Sequence, residues 1–241
     1  MDIVIVGGPH SGVGKTLTAE IALRALDGLG YGAIKLTVAD GERDPVHDHG
    51  GSALSVADAA GICGRGASCG VCETVSGKVP SRLITHDGAI HKRGTDTARL
   101  ADAGAIAVAW IIALRQAAPA AVDAAIRHLE SKGARGVVIE GTTALEWISP
   151  LSSVMVATDP GGKWKDVALR YVGQCDIVLR NNVPNPTGDV PAPAAFMAAR
   201  PLICDLGNPD DEGARTYRTR LRQLCTLGKG ASVPHAILRQ S

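Results

Sequence analysis

Aromatic side chains are scarce in this chain: they make up 3% of its 241 residues, and Phe196 is the only phenylalanine. A core without large rings must be filled by Ala, Val, Ile and Leu, which suits helices packed on a sheet of branched aliphatics. Excess charge is missing too, with 25 Lys and Arg against 24 Asp and Glu. That balance leaves no electrostatic footprint for nucleic acid or an anionic membrane, so small molecules and proteins are the expected partners. No apolar run approaches the roughly 20 residues that span a bilayer, the longest being Ala103 to Leu114. The opening Met1-Asp2-Ile3 carries no basic signal-peptide segment, and Val4-Ile5-Val6 is too short for an apolar one. The expected location is the cytoplasm. Internal repeats and low-complexity domains are also lacking. The 241 residues suffice for one large α/β domain, burying roughly three quarters of its unfolded surface.

What is present starts almost at once. Asp2-Ile3-Val4-Ile5-Val6 reads as a buried strand, Gly7 to Gly14 as a glycine-rich turn, and Lys15-Thr16 onward as a helix reaching Leu29. Strand, turn and a helix opening with Lys-Thr form the arrangement that cradles a nucleoside triphosphate. Backbone N–H groups of the turn and the helix N-terminus favour phosphate oxygens there. Lys15 is expected to reach the β- and γ-phosphates and Thr16 to place its hydroxyl on Mg²⁺. The usual Gly-x-x-x-x-Gly-Lys-[Ser/Thr] spacing calls for glycine at position 9, where this chain has Pro9, with Gly8 one residue earlier. A plain strand-to-helix turn is the bland alternative.

Further along, Gly32 to Val38 reads as a second strand. Residues 40–94 then form an inserted segment rich in Gly, Asp, His and Cys, with a short helix over Ser52 to Ala60. Arg82-Leu83-Ile84-Thr85 and Ala89-Ile90-His91-Lys92 flank Asp87-Gly88, which predicts a projecting hairpin and with it a dimer contact. Strands at 105–113, 136–140, 153–158, 176–179 and 201–205 alternate with helices at 95–103, 119–132, 164–172 and 211–224, and 184–201 reads as a surface loop. The order predicts a mostly parallel sheet covered on both faces by helices.

Three constellations carry chemistry. Glu140, ending a buried strand, is expected to hold Mg²⁺ and to act with Lys15 and Lys35 as the catalytic set. An ordinary strand-end acid and a solvated edge lysine are the alternatives. Asp40, Asp44, His47, Asp48 and His49 stand where a nucleotide-responsive loop would touch Mg²⁺ or substrate; Asp40 is the candidate ligand, and a solvated loop is an equal reading. Asn181 and Asn182 follow the fourth of these later strands, where an amide could read a base, and Asp205 could line its other side. The expected nucleotide-binding set is Gly8, His10, Ser11, Gly12, Val13, Gly14, Lys15, Thr16, Thr18, Asn181, Asn182 and Asp205. No Asn-Lys-x-Asp guanine motif follows Asn182, which favours ATP over GTP. Finally, Cys63, Cys69 and Cys72 have Cys-x5-Cys-x2-Cys spacing that suits a Zn²⁺ ion or an iron–sulfur cluster. His86, His91 or a distant cysteine could be the fourth ligand of Zn²⁺, and an exchangeable ligand or the dimer mate that of a cluster; redox thiols and no special role are the alternatives. Cys175, Cys204 and Cys225 read as buried structural thiols.

The turn Gly8-x-x-x-Gly12-Val13-Gly14-Lys15-Thr16, with Lys35 and Glu140-Gly141, resembles the dethiobiotin synthetase and cobyrinic acid synthetase group. Ile139-Glu140-Gly141-Thr142, Ser153-Val154-Met155-Val156 and Gly94-Thr95-Asp96-Thr97 … Ala103-Gly104-Ala105 resemble molybdopterin-guanine dinucleotide biosynthesis protein B more closely. Both belong to the SIMIBI class of P-loop NTPases, with the signal-recognition GTPases, MinD-like ATPases and metal-insertion GTPases. The resemblance spans most of the chain but not the cysteine segment. It implies a P-loop NTPase fold, a homodimer, and work in cofactor biosynthesis. Three expectations follow: an ATP- or GTP-hydrolysing maturation protein for a metal-containing cofactor, a ligase activating a carboxylate or carbamate with Lys35 on the substrate anion, or a nucleotide-dependent accessory protein docked on a cofactor-synthesis enzyme.

Overall fold

The computed structural model describes residues 1–39, 75, 78–183 and 188–227. In chain order the strands are β1 (Asp2–Gly7), β2 (Tyr31–Ala39), β3 (Ser81–Ile84), β4 (Val108–Leu114), β5 (Gly136–Glu140), β6 (Ser152–Ala157), β7 (Ile177–Asn181) and β8 (Leu202–Cys204). The helices are α1 (Lys15–Ala25), α2 (Asp87–Ile90), α3 (Asp96–Asp102), α4 (Ala118–Ser131), α5 (Asp166–Tyr171), α6 (Ala194–Ala198) and α7 (Glu212–Leu227). The eight strands form one sheet in the order β3-β4-β2-β5-β1-β6-β7-β8. All neighbours are parallel except β3 and β4. The expected α/β architecture, a mostly parallel sheet flanked by helices, is therefore what the chain forms.

The apolar runs explain it. A strand covered on both faces reads as an unbroken hydrophobic stretch, and Val4, Ile5 and Val6 are fully buried. Because successive side chains point to opposite faces, Val4 and Val6 join one core with α1, α3 and α7, through Leu23, Leu100, Tyr217 and Leu221. Ile5 joins the other core with α4, α5 and α6, through Val122, Leu129, Ala168 and Phe196. Pro119 stands in the first turn of α4 and Gly133 follows its end at φ 88°, the asymmetry that starts and stops helices cleanly. From β1 the chain crosses through α1 to β2 on one side, while β6 lies on the other. Such a reversal opens a crevice at the carboxyl ends of the strands, the usual ligand position in open α/β sheets.

The projecting hairpin is not formed. Ser81–Ile84 pairs antiparallel with β4, from Ser81 opposite Ala113 to Ile84 opposite Trp110, whereas Asp87–Ile90 is one helical turn. His86 caps that turn: its Nδ1 accepts from the Ala89 N–H at 3.2 Å, and Ile90 at the end of the turn is buried in the core. Capping of orphan N–H groups and burial of Ile90 outweigh the turn propensity of Asp87-Gly88. The dimer contact inferred from a hairpin loses its basis. The stretch after residue 187 is also more than a surface loop, since α6 seats Phe196 in the core edge-on to Trp164, with ring centroids 5.5 Å apart.

Asp40, Asp44, His47, Asp48, His49, Cys63, Cys69 and Cys72 and the Ser52 to Ala60 helix lie outside the described residues. Ala39 and Val75, on either side of that segment, pack together with Ile112. Cys204 and Cys225 are buried and Cys175 half-buried. Burial pushes the thiols of Cys175 and Cys204 up to about 12, in keeping with inert structural cysteines. Among the described residues no helix is long and apolar enough to cross a membrane.

Candidate functional site

The turn between β1 and α1 is held by three local demands. A Cβ on Gly8 would lie 2.7 Å from Val13 Cγ2 and 2.8 Å from the Val156 carbonyl oxygen, so only glycine fits. This is why a glycine stands at position 8. Gly14 caps α1 at φ 102°, a left-handed conformation that side chains resist, and a Cβ there would sit 2.9 Å from Asn181 Nδ2. Thr142 supplies the third: its hydroxyl accepts from the Gly8 N–H at 2.9 Å and donates to the Gly8 carbonyl at 2.8 Å. No side chain caps α1, so its first-turn N–H groups remain available to an anion.

A chain of charges lies beside the helix start. Thr16 donates to Glu140 Oε1 at 3.1 Å. The Lys35 ammonium bonds the same oxygen at 2.6 Å and Asp96 Oδ2 at 2.6 Å. Parallel pairing builds this contact, because Lys35 of β2 stands in register with Glu140 of β5. Asp96 comes from the first turn of α3, where Thr95 is the cap. Glu140 is 2% exposed, and its Oε2 has no hydrogen-bond partner among the described residues. A buried carboxylate oxygen left this way is costly unless something arrives to bind it. For Asp96, burial acts to raise the pKa, but the charge and hydrogen bond of Lys35, with Thr16 and Arg99, outweigh it and hold the carboxyl below its ordinary range. Lys15 folds back so that its Nζ donates to the His10 carbonyl at 2.5 Å. Burial, opposed by Glu140 and reinforced by Lys35 and Lys165, brings Lys15 down to about 8.

These groups open on one cleft of about 890 Å³. Of the expected residues it brings together Gly8, His10, Ser11, Gly12, Gly14, Lys15, Thr16, Lys35, Glu140 and Asn181. Four others do not line it. Val13 and Thr18 are fully buried, and the Thr18 hydroxyl donates to the Gly14 carbonyl at 2.9 Å. Asn182 is exposed, with its N–H on the Cys204 carbonyl at 2.7 Å. Asp205 accepts from the Gly207 N–H at 2.9 Å, closing an Asx turn. Asn181 faces the cleft, yet its Nδ2 donates to the Val13 carbonyl at 3.2 Å and its Oδ1 accepts from the Leu206 N–H at 3.4 Å. It ties β7 to both neighbouring turns.

Asp96, Thr142 and Lys165 were not among the expected site residues. Asp96 had two signals, its place after a Thr cap at the start of α3 and its place in the Gly94-Thr95-Asp96-Thr97 stretch of the family resemblance. Thr142 had only its place in the Ile139-Glu140-Gly141-Thr142 stretch of that resemblance, and Lys165 had none beyond preceding a helix. Against known proteins, no family model, no curated protein and no solved structure matches the chain.

Proposed function

We propose that this chain is a P-loop NTPase: it binds a Mg²⁺–nucleoside triphosphate in the cleft and releases or transfers the terminal phosphoryl group. The observation that carries this reading is the Thr16–Glu140–Lys35–Asp96 chain, set beside an uncapped helix start, with the buried Glu140 Oε2 open. Thr16, Glu140 and Asp96 offer hard oxygen donors suited to Mg²⁺, and the unpartnered oxygen is an atom that the ion or its water would satisfy. Bound there, Mg²⁺ supplies charge neutralisation to the phosphate oxygens. The protein's own part is positional and electrostatic. The α1 N-terminus and Lys15 stabilise charge on the transferring group, and Lys35 holds both carboxylates in place.

Because the Lys35 ammonium is already shared by two carboxylates, its geometry favours this organising role over the seizing of a substrate anion expected of a ligase. The cysteines Cys63, Cys69 and Cys72, with the family resemblance, extend the proposal to assembly or maturation of a metal-containing cofactor. Fluorescent ATP and GTP analogues titrated with and without Mg²⁺ test the core of it. Mg²⁺-dependent binding, lost in Lys15→Ala, is the expected result; folded protein that binds neither nucleotide contradicts it. Metal and sulfide analysis of anaerobically purified protein tests the extension, which a colourless, metal-free product overturns.

A further inference from the structure

Lys35 enters the cleft from inside the sheet. Its register neighbours are Glu140 of β5 on one side and Trp110 of β4 on the other, and the Trp110 indole N–H is given to the Thr37 hydroxyl at 3.2 Å. The ammonium turns to the carboxylates, meeting Glu140 Oε1 and Asp96 Oδ2 at 2.6 Å each, and the side chain is only 18% exposed. Its partners are anchored as firmly. Glu140 ends β5, and Asp96 is carried by α3, which an ion pair of 2.5 Å from Arg99 to Glu20 ties to α1. Strand pairing and helix packing, not a loop, therefore put this cation where it is.

The consequence concerns the oxygens that a metal would use. Lys35 takes one oxygen of each carboxylate, and Thr16 donates to the same Glu140 Oε1 at 3.1 Å. Glu140 Oε2, buried and without a hydrogen-bond partner among the described residues, is the oxygen left open. Mg²⁺ asks for roughly six oxygen ligands in near-octahedral array and gives up its waters reluctantly. A bare ion meets too few oxygens here, and an ammonium beside them that repels it. Nucleotide phosphates reverse both conditions, since they bring oxygens and negative charge together.

We infer that Lys35 determines which species loads the site: its ammonium holds the Glu140–Asp96 pair against a bare divalent ion, and the metal enters only together with the phosphates of a nucleotide. This rests on the nucleotide reading of the cleft. Lys35 then acts through its charge on the carboxylates, not by touching the nucleotide. The test is equilibrium dialysis against Mn²⁺, whose preference for hard oxygen donors matches that of Mg²⁺, alone and with ATP or GTP. The proteins are the wild type, Lys35→Met, Lys35→Arg and the Lys35→Met/Glu140→Gln double variant, with circular dichroism reporting the fold. Wild-type protein is expected to bind Mn²⁺ alone about tenfold more weakly than with nucleotide, and Lys35→Met to bind it alone about tenfold more tightly than the wild type does. Lys35→Arg keeps the charge and the weak binding, and the double variant loses the gain, which places the ion at Glu140. A merely structural role for Lys35 predicts the opposite sign, because a loosened site holds metal less well. Wild-type protein that binds Mn²⁺ alone as tightly as with nucleotide overturns the proposal, whether or not Lys35→Met folds, and so does folded Lys35→Met without the gain. A wild type that binds no nucleotide fails the nucleotide reading instead, a separate result, since the gain in Lys35→Met is measured with the metal alone.

Discussion

Lys15, proposed to meet the phosphates, carries an ammonium drawn down to about 8 by burial. Below that pH it is charged in the folded and unfolded chain alike, and its desolvation cost is carried in full. Between about 8 and the ordinary 10.5, the unfolded chain keeps a proton that the folded chain has released, so stability is expected to rise with pH through this window. Denaturation profiles of the wild type and Lys15→Met check it, because the substitution removes that rise. Triphosphate affinity is expected to move the other way, weakening above about pH 8 as Lys15 loses its charge, as binding isotherms across that range would report. Lys35 answers to a different measurement. Lys35→Ala strands Glu140, 2% exposed, without its cation, and the expected loss of stability by urea titration is about 3–5 kcal/mol. Glu140→Gln keeps the shape and removes the charge, so it should abolish the Mg²⁺ dependence of nucleotide binding while the fold persists.

At the scale of elements, the turn after β1 is a close approach of three strands' ends. Gly8→Ala forces a methyl against the Val156 carbonyl of β6 and Val13 of the turn, where backbone cannot yield cheaply; a loss of about 1–3 kcal/mol and of nucleotide binding is expected. Thr142→Ala deletes both bonds to Gly8 and tests the same clamp from the β5 side. These elements also show what the sequence could convey. Val137, Val138 and Ile139 announce a strand buried on both faces, and the glycines at 8, 12 and 14 announce the turn, because both signals are local. Asp96 and Thr142 were missed because their partners are remote: Lys35 lies 61 residues from Asp96, and Gly8 lies 134 from Thr142. No window of sequence contains such pairs. Asp87-Gly88 misled for the opposite reason, since the same two residues suit a hairpin turn and the first turn of a capped helix. Asn181 lay where an amide could face a base, yet the fold also employs it as a brace between Val13 and Leu206.

For the whole molecule, the cleft lies where the two cores meet across the carboxyl ends of β1, β5 and β7, carrying Gly8, Glu140 and Asn181. A ligand there touches α1, packed on one face of the sheet, and the Thr142–Glu146 turn, which carries Ala144 and Leu145 into the core of the other. Binding should therefore stabilise the chain as a unit, by about 2.7 kcal/mol at a hundredfold excess over Kd. Ala39 and Val75, paired on Ile112, bring both ends of the cysteine-bearing segment to the β2 and β4 side of the sheet. The central claim meets its most direct test in calorimetric titration of the 241-residue chain with ATP and GTP, in the presence and absence of Mg²⁺, beside Lys15→Met. The account predicts one Mg²⁺-dependent site for at least one of the two nucleotides, absent from the variant. Folded wild-type protein giving no binding heat and no stabilisation with either nucleotide would contradict it.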